Sequence, residues 1–270
     1  MLAGLVWYGA VAAYSVSCAA FFARLTGRRL GARTEIAGPL ALAAAALLHG
    51  ICLFDESYTS RVCPVRSVHF VISFSALLGT VIYLVFCRSA AIRALGVFLA
   101  PVALTFVLGA RFLAVDRAEQ VSGSFLALHI TVNVLGDALF LLASAAALLY
   151  LVEERRLKQR RPASVFGKLP PLDALDRAEH RFLLGGFPLL TLGIVTGTVW
   201  AHAILSGGTA EIARAVLAYA TWLLFAGVLL LRGVLGWRGR RAAYGTLAGF
   251  AFAVGVLVVY LVRATPGSGS

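Results

Sequence analysis

The stretch "SFLALHITVNVLGDALFLLASAAALLYLVEERRLKQRRP", Ser124–Pro162, decides the fold. It holds an apolar run long enough to cross a hydrocarbon core about 30 Å thick. It opens with His129, carries Asp137 in its middle, and ends in a burst of basic residues after Glu153 and Glu154. Charge is thus excluded from the run and collected at one end, as at the cytoplasmic mouth of a membrane helix. His129, Asn133 and Asp137 are spaced four apart, which aligns them along one side of a helix. An ionisable group at that depth costs a few kcal/mol on insertion scales. The stripe is therefore expected to face the interior of a bundle.

The rest of the chain repeats the pattern. Of 270 residues, 60% are hydrophobic and only 13% charged, about half the charged share of a soluble domain. The runs are continuous and rich in Ala and Leu, which excludes the alternating strands of a membrane β-barrel. The reading is an all-α, polytopic membrane helix bundle. Spans are expected near 2–23, 36–54, 67–87, 93–114, 124–151, 183–205, 212–234 and 242–262. The first run has no basic start and is too long for a signal core, so it is kept as a true span. Pro39 and Pro101 fall inside spans, where membrane helices tolerate them. Residues 1–263 form a single transmembrane domain, and the tail 264–270 is expected to be disordered. "LPPLDALDRAEHRFLLGG" follows two prolines, places its acids early and reads as a short interfacial helix leading into span six. The cytoplasmic basic segment and this helix together occupy 153–182.

The net charge of +12 does not indicate a nucleic-acid partner, because the basic residues sit in short loops between apolar runs. One set of loops carries Arg24, Arg28, Arg29, Arg33, Arg88, Arg93, the basic run 155–181, Arg232, Arg238, Arg240 and Arg241. The opposite set has Arg61, Arg66, Arg111, Arg117, Arg214 and Arg263. The richer side is assigned to the cytoplasm, and both termini then lie outside.

That orientation places four of the five histidines, His49, His69, His129 and His202, in one layer just inside the outer surface. His180 alone falls on the cytoplasmic side. Histidines also settle at polar interfaces as helix caps, and that reading weighs evenly for any one of them. The sharper reading is a cofactor: imidazoles on facing helices make a bis-His site for a non-covalent, b-type haem. Zinc would want Cys or carboxylate partners at ligand spacing, and none accompany these residues. Arg111 and Arg66, also outer, suit the carboxylates of haem propionates, with ordinary interfacial arginines as the simpler account. Asp137 reads either as a hydrogen-bonded packing residue or as a proton-handling group. Cys52 and Cys63 are close and both outer, compatible with a disulfide in an oxidising compartment. No C-x-x-C-H, no H-E-x-x-H and no phosphate-binding glycine loop occurs. No catalytic residue is assigned, and a binding or assembly factor is expected rather than a catalyst.

Two stretches resemble the cytochrome c assembly family, the CcsA/CcmC-like haem-handling proteins. "ITVNVLGDALFLLASAAALLYLVEERRLK" is similar to the span after the family's first periplasmic histidine. "LPPLDALDRAEHRFLLGGFPLLTLGIVTGTVWA", followed by "TWLLFAGVLLLRGVLGWRGRRAAYGTLAGFAF", is similar to its C-terminal half. The resemblance covers about 125–260 and looks most like the HemX/YpjD branch. It implies His129 as a haem ligand. It also implies a bacterial cytoplasmic (inner) membrane location, and partners among other cytochrome c biogenesis membrane proteins or a haem-synthesis enzyme. The sequence departs from the family where a Trp-rich segment of the type W-G-x-x-W-x-W-D would follow "VWA"; here it reads "HAILSGGTAEIARAVLAYATW". The family's next histidine would fall at Leu230, and its last would fall in "VRATPGSGS". His202 and His49, in the same layer, could substitute. Haem binding in cytochrome c biogenesis is the first expectation. A HemX-like regulator of a haem-synthesis enzyme, acting through its cytoplasmic segment, is the alternative. An electron-transfer cytochrome b-like subunit or a small-molecule transporter fits less well.

Overall fold

A computed structural model describes residues 2–25, 33–60, 68–112, 124–159, 169–198 and 208–264. These residues form eight helices: α1 Leu2–Leu25, α2 Arg33–Ser60, α3 Val68–Phe86, α4 Ala90–Phe112, α5 Ser124–Lys158, α6 Leu172–Gly197, α7 Gly208–Leu235 and α8 Arg240–Ala264. Among the described residues there is no strand. Seven of the helices are long and apolar enough to cross a membrane, α6 being the exception. Backbone groups in lipid must be satisfied within the segment, which a helix does and an open strand does not. The chain is a polytopic membrane helix bundle.

The long helix that opens the analysis is the hub. α5 packs most extensively against α6 and also against α3, α4 and α8. Around it, α1 pairs with α2 and α4, α3 with α4, and α7 with α8. α5 and α6, consecutive in the chain, are thus neighbours. The core carries buried Tyr14, Tyr83, Phe140 and Phe225 among small residues such as Ala143, Ala146 and Ala147. Phe140 lies against Phe225 of α7, ring centroids 4.2 Å apart. Small residues let the other helices come close, and in lipid close packing rather than water exclusion holds helices together. Pro39, Pro101 and Pro188 all lie inside helices.

One expectation needs correction. The amphipathic segment before span six is no separate interfacial helix. It runs without a break into the apolar part as one helix of 26 residues. Gly185 and Gly186 do not interrupt it because Leu139 and Phe140 of α5 fill the space beside them. Its polar first third, from Asp173 to Arg181, is what keeps α6 from being apolar enough to count as a span within the described residues. The rest of the expected span six, 199–205, lies outside them. Glu153 is not solvated. It is 5% exposed and takes a hydrogen bond from Arg156 one turn on.

At the other end of α7 the chain reverses through Gly236 and Gly239, with φ of 65° and 64°. Glycine adopts this left-handed backbone without steric cost. Gly239 is doubly constrained: a β-carbon there would lie 2.5 Å from the Tyr150 hydroxyl, and its N–H donates to Asp176 Oδ1 at 2.8 Å.

Candidate functional site on the α5–α6 seam

Glycines on α6 make room for the polar face of α5. A β-carbon at Gly193 would meet Asn133 Oδ1 at 2.2 Å, and one at Gly197 would meet His129 Cε1 at 3.2 Å. His129 is half-buried in this gap. Its Nδ1 lies 2.8 Å from Thr196 Oγ1. The Thr196 hydroxyl donates its own proton to the carbonyls of Leu192, at 2.7 Å, and Gly193, at 3.1 Å. Having one proton, it can only accept from the imidazole. Nδ1 is therefore the N–H of the ring, and in the neutral ring Nε2 holds the lone pair. Asn133 anchors the same turn by donating to the His129 carbonyl at 2.7 Å. The seam brings His129 and Asn133 together as their spacing predicts.

Asp137 does not share that contact. It is exposed and accepts no hydrogen bond among the described residues. A helix advances about 40° for every four residues beyond a full turn, so the third member of an i, i+4, i+8 set rotates off the seam.

The other expected histidines are engaged elsewhere. His49 is 2% exposed. Its Nε2 lies 2.8 Å from Ser73 Oγ and its Nδ1 lies 3.3 Å from the Tyr14 hydroxyl, which also reaches Thr80. His69 faces two acceptors, the Ala110 carbonyl through Nδ1 and Glu56 Oε1 at 3.2 Å through Nε2. Ser73, one turn from His69 on α3, serves His49. Arg111 is exposed, with its guanidinium 5.8 Å from the Trp7 ring centre. His202 and Arg66 lie outside the described residues, as does Cys63; Cys52 is a free thiol. No cluster of three or more potential metal ligands occurs among the described residues.

A second polar cluster, not anticipated from the sequence, lies at the opposite end of α6. Arg232 of α7 forms a two-pronged ion pair with buried Asp176, Nη1–Oδ1 3.2 Å and Nη2–Oδ2 2.5 Å. One turn on, Glu179 is fully buried and accepts from Thr246 of α8 at 2.7 Å. Two acids spaced i, i+3 on an amphipathic helix were the available signal. They read as ordinary first-turn acids because their partners lie more than fifty residues away.

Eight helices, with one polar seam between α5 and α6 and a brace of charge at the other end of α6, define a multi-pass membrane protein whose polar groups lie between helices. The model of the cytochrome c assembly protein family matches residues 7–267, and the chain belongs to that family. It is similar to the cytochrome c biogenesis protein CcsA of Chlamydomonas reinhardtii, 30% identical over 197 residues, covering 69% of this chain and 55% of that one. CcsA of Guillardia theta is 31% identical over 163 residues, covering 55% and 53%. The chain thus spans about half the length of the curated relatives it matches. Among solved structures it resembles the cytochrome c haem lyase CcmF, with a TM-score of 0.54 at 18% identity. That likeness covers 98% of this chain and 51% of CcmF and is one of fold.

Proposed function

We propose that the chain is a haem-handling membrane factor of cytochrome c biogenesis, and that His129 is an axial ligand of a haem held at the outer end of the α5–α6 seam. The observation that carries this reading is the bond between His129 Nδ1 and Thr196. It fixes the tautomer whose Nε2 can bind a metal, and it holds the ring's orientation through the opposite nitrogen, as metal-binding imidazoles require. Family membership supports the cofactor, since the relatives are named for cytochrome c biogenesis. What supports a b-type haem is an imidazole half-buried at a helix seam, with its Nδ1 held by a threonine. His202, five residues past Gly197, is the second ligand. His49 and His69 are poorer candidates, because both are buried among other helices' polar groups, 2% and 5% exposed, whereas His129 is half-buried. Bound there, haem would supply a redox-active iron near the outer surface.

The test is reconstitution of the purified protein with haem, followed by absorption spectra. The wild type is expected to give a low-spin Soret band with sharp reduced α and β bands. His129→Ala and His202→Ala are each expected to lose the low-spin form, and His49→Ala to keep it. An unaltered spectrum in His129→Ala overturns the ligand assignment. A protein that takes up no haem overturns the cofactor and favours regulation through the cytoplasmic segment 153–181.

A further inference from the structure

α7 gives way to α8 in only four residues, 236–239. Both helices are long and apolar enough to cross a membrane, over Glu211–Leu235 and Arg240–Val259. A link that short between two spans lies where the hydrocarbon core meets the headgroups. Its shape is fixed. Gly236 and Gly239 take left-handed backbone. Trp237 N–H donates to the Leu231 carbonyl at 3.2 Å, and Gly239 N–H donates to Asp176 Oδ1 at 2.8 Å. Asp176 is in turn held by Arg232, in the last turn of α7.

The turn presents three exposed arginines, Arg238, Arg240 and Arg241. Two of them lie over aromatic rings. The Arg240 guanidinium is 5.4 Å from the ring centre of Tyr244 and donates to its hydroxyl at 3.4 Å. That of Arg241 is 6.0 Å from the ring centre of Trp237. A ring attracts the cation through its face and leaves most of the in-plane N–H donors open. Four other cations at this end of the bundle are matched by acids: Arg156 by Glu153, Lys158 by Glu154, Arg177 by Asp173 and Arg232 by Asp176. The arginines of the turn form no ion pair among the described residues. Glu154, whose charge reaches Arg240, is bonded to Lys158 at 2.7 Å. No Asp or Glu follows Glu211 in the chain. Arg155 and Arg181 are also exposed at this end, but neither lies over a ring among the described residues. At the end of α7, next to the turn, Val234 and Leu235 are 72% and 64% exposed.

We infer that the α7–α8 turn binds the headgroup of an anionic phospholipid, with Arg240 and Arg241 holding its phosphate. A lipid meets every feature of the turn at once. The planar fork of arginine pairs with phosphate oxygens two at a time. Uncompensated cations at a membrane surface favour anionic headgroups over zwitterionic ones. Trp and Tyr settle at headgroup level, with an apolar body toward the chains and a polar tip toward water. Val234 and Leu235, left uncovered by the bundle, meet the acyl chains of the same molecule. A soluble phosphate compound would engage the arginines and leave these two side chains in water. The inference depends neither on haem nor on which way the bundle faces.

The test places the full chain in phosphatidylcholine vesicles with a trace of spin-labelled lipid and reads the fraction of label that the protein immobilises. Labelled phosphatidylglycerol is expected to be immobilised more than labelled phosphatidylcholine with the same tails. Arg240→Gln with Arg241→Gln should bring phosphatidylglycerol down to the phosphatidylcholine level. Arg155→Gln with Arg181→Gln removes as much charge from the same end of the bundle and should leave the preference intact. Arg240→Lys with Arg241→Lys keeps the charge and should retain part of the preference, which a disrupted turn would not allow. Soluble glycerol phosphate, the headgroup without tails, should not displace the labelled lipid. Equal immobilisation of the two lipids by the wild type overturns the site, as does a full preference in the Arg240→Gln, Arg241→Gln variant. Loss of the preference in the Arg155→Gln, Arg181→Gln variant would mean diffuse charge rather than this turn, and displacement by glycerol phosphate would mean a soluble ligand; either result overturns the inference.

Discussion

A β-carbon at Gly193 would lie 2.2 Å from Asn133 Oδ1, so alanine there must displace Asn133 or part the helices. Two effects compete. Alanine gains about 1 kcal/mol of helix propensity over glycine, and overpacking costs about 1–3 kcal/mol. The second should win, and Gly193→Ala is expected to lower the thermal midpoint and broaden any haem band held by His129. The threonine opposite His129 gives a finer probe. Thr196→Val keeps the shape but removes the acceptor, leaving Nδ1–H unpaired at a cost of about 1–3 kcal/mol. Haem affinity should fall in Thr196→Val and return in Thr196→Ser; equal spectra for all three would remove the tautomer argument. The pairing of His129 with Asn133 was legible in the sequence because it is local to one helix. Thr196 was not, because no spacing rule links residues 67 positions apart. The partners of His49 and His69 were hidden for the same reason: Tyr14, Ser73, Glu56 and the Ala110 carbonyl, which meet their nitrogens, come from other helices.

At the scale of elements, α6 joins two regimes. Its first third is polar and braced, its remainder apolar and glycine-rich. The brace is the pairing of Asp176 with Arg232, both about nine-tenths buried as side chains. It ties α6 to α7, and through Gly239 N–H to the start of α8. Removing one partner of a buried pair strands the other charge, at about 3–5 kcal/mol, whereas replacing both with apolar residues is often neutral. Arg232→Met alone should therefore destabilise the detergent-solubilised protein strongly, and Arg232→Met with Asp176→Leu should recover much of the loss. A double variant as unstable as the single one would mean that the Gly239 bond, not the ion pair, carries the brace. Helix existence was readable from apolar run length, and every expected span met a helix among the described residues. The continuity of α6 was not, since the choice between one helix and two depended on what α5 places beside Gly185 and Gly186.

The whole molecule has a direction, and the outer location proposed for the haem site depends on it. The basic residues that close α1, α5 and α7, and those that open α8, fall on one side, including Arg24, Arg155, Arg156, Lys158, Arg232, Arg240 and Arg241. The opposite side has Arg111 at the end of α4 and Arg214, which is paired with Glu211. Short loops rich in Arg and Lys are retained in the cytoplasm, so the end of α5 at Lys158 and the start of α6 at Leu172 should face inward. His129, 29 residues before Lys158 on α5, then lies near the outer surface, since a helix of that length more than crosses the core. A reporter active only outside, fused after Ser270, should be active. A cysteine placed at Gln159 should be labelled by a membrane-impermeant maleimide only in inverted vesicles. A silent reporter together with labelling in intact cells would reverse the bundle and put His129 on the cytoplasmic side. The haem spectra of the His129 and His202 variants would then still define a site, but one that takes its haem from the opposite face.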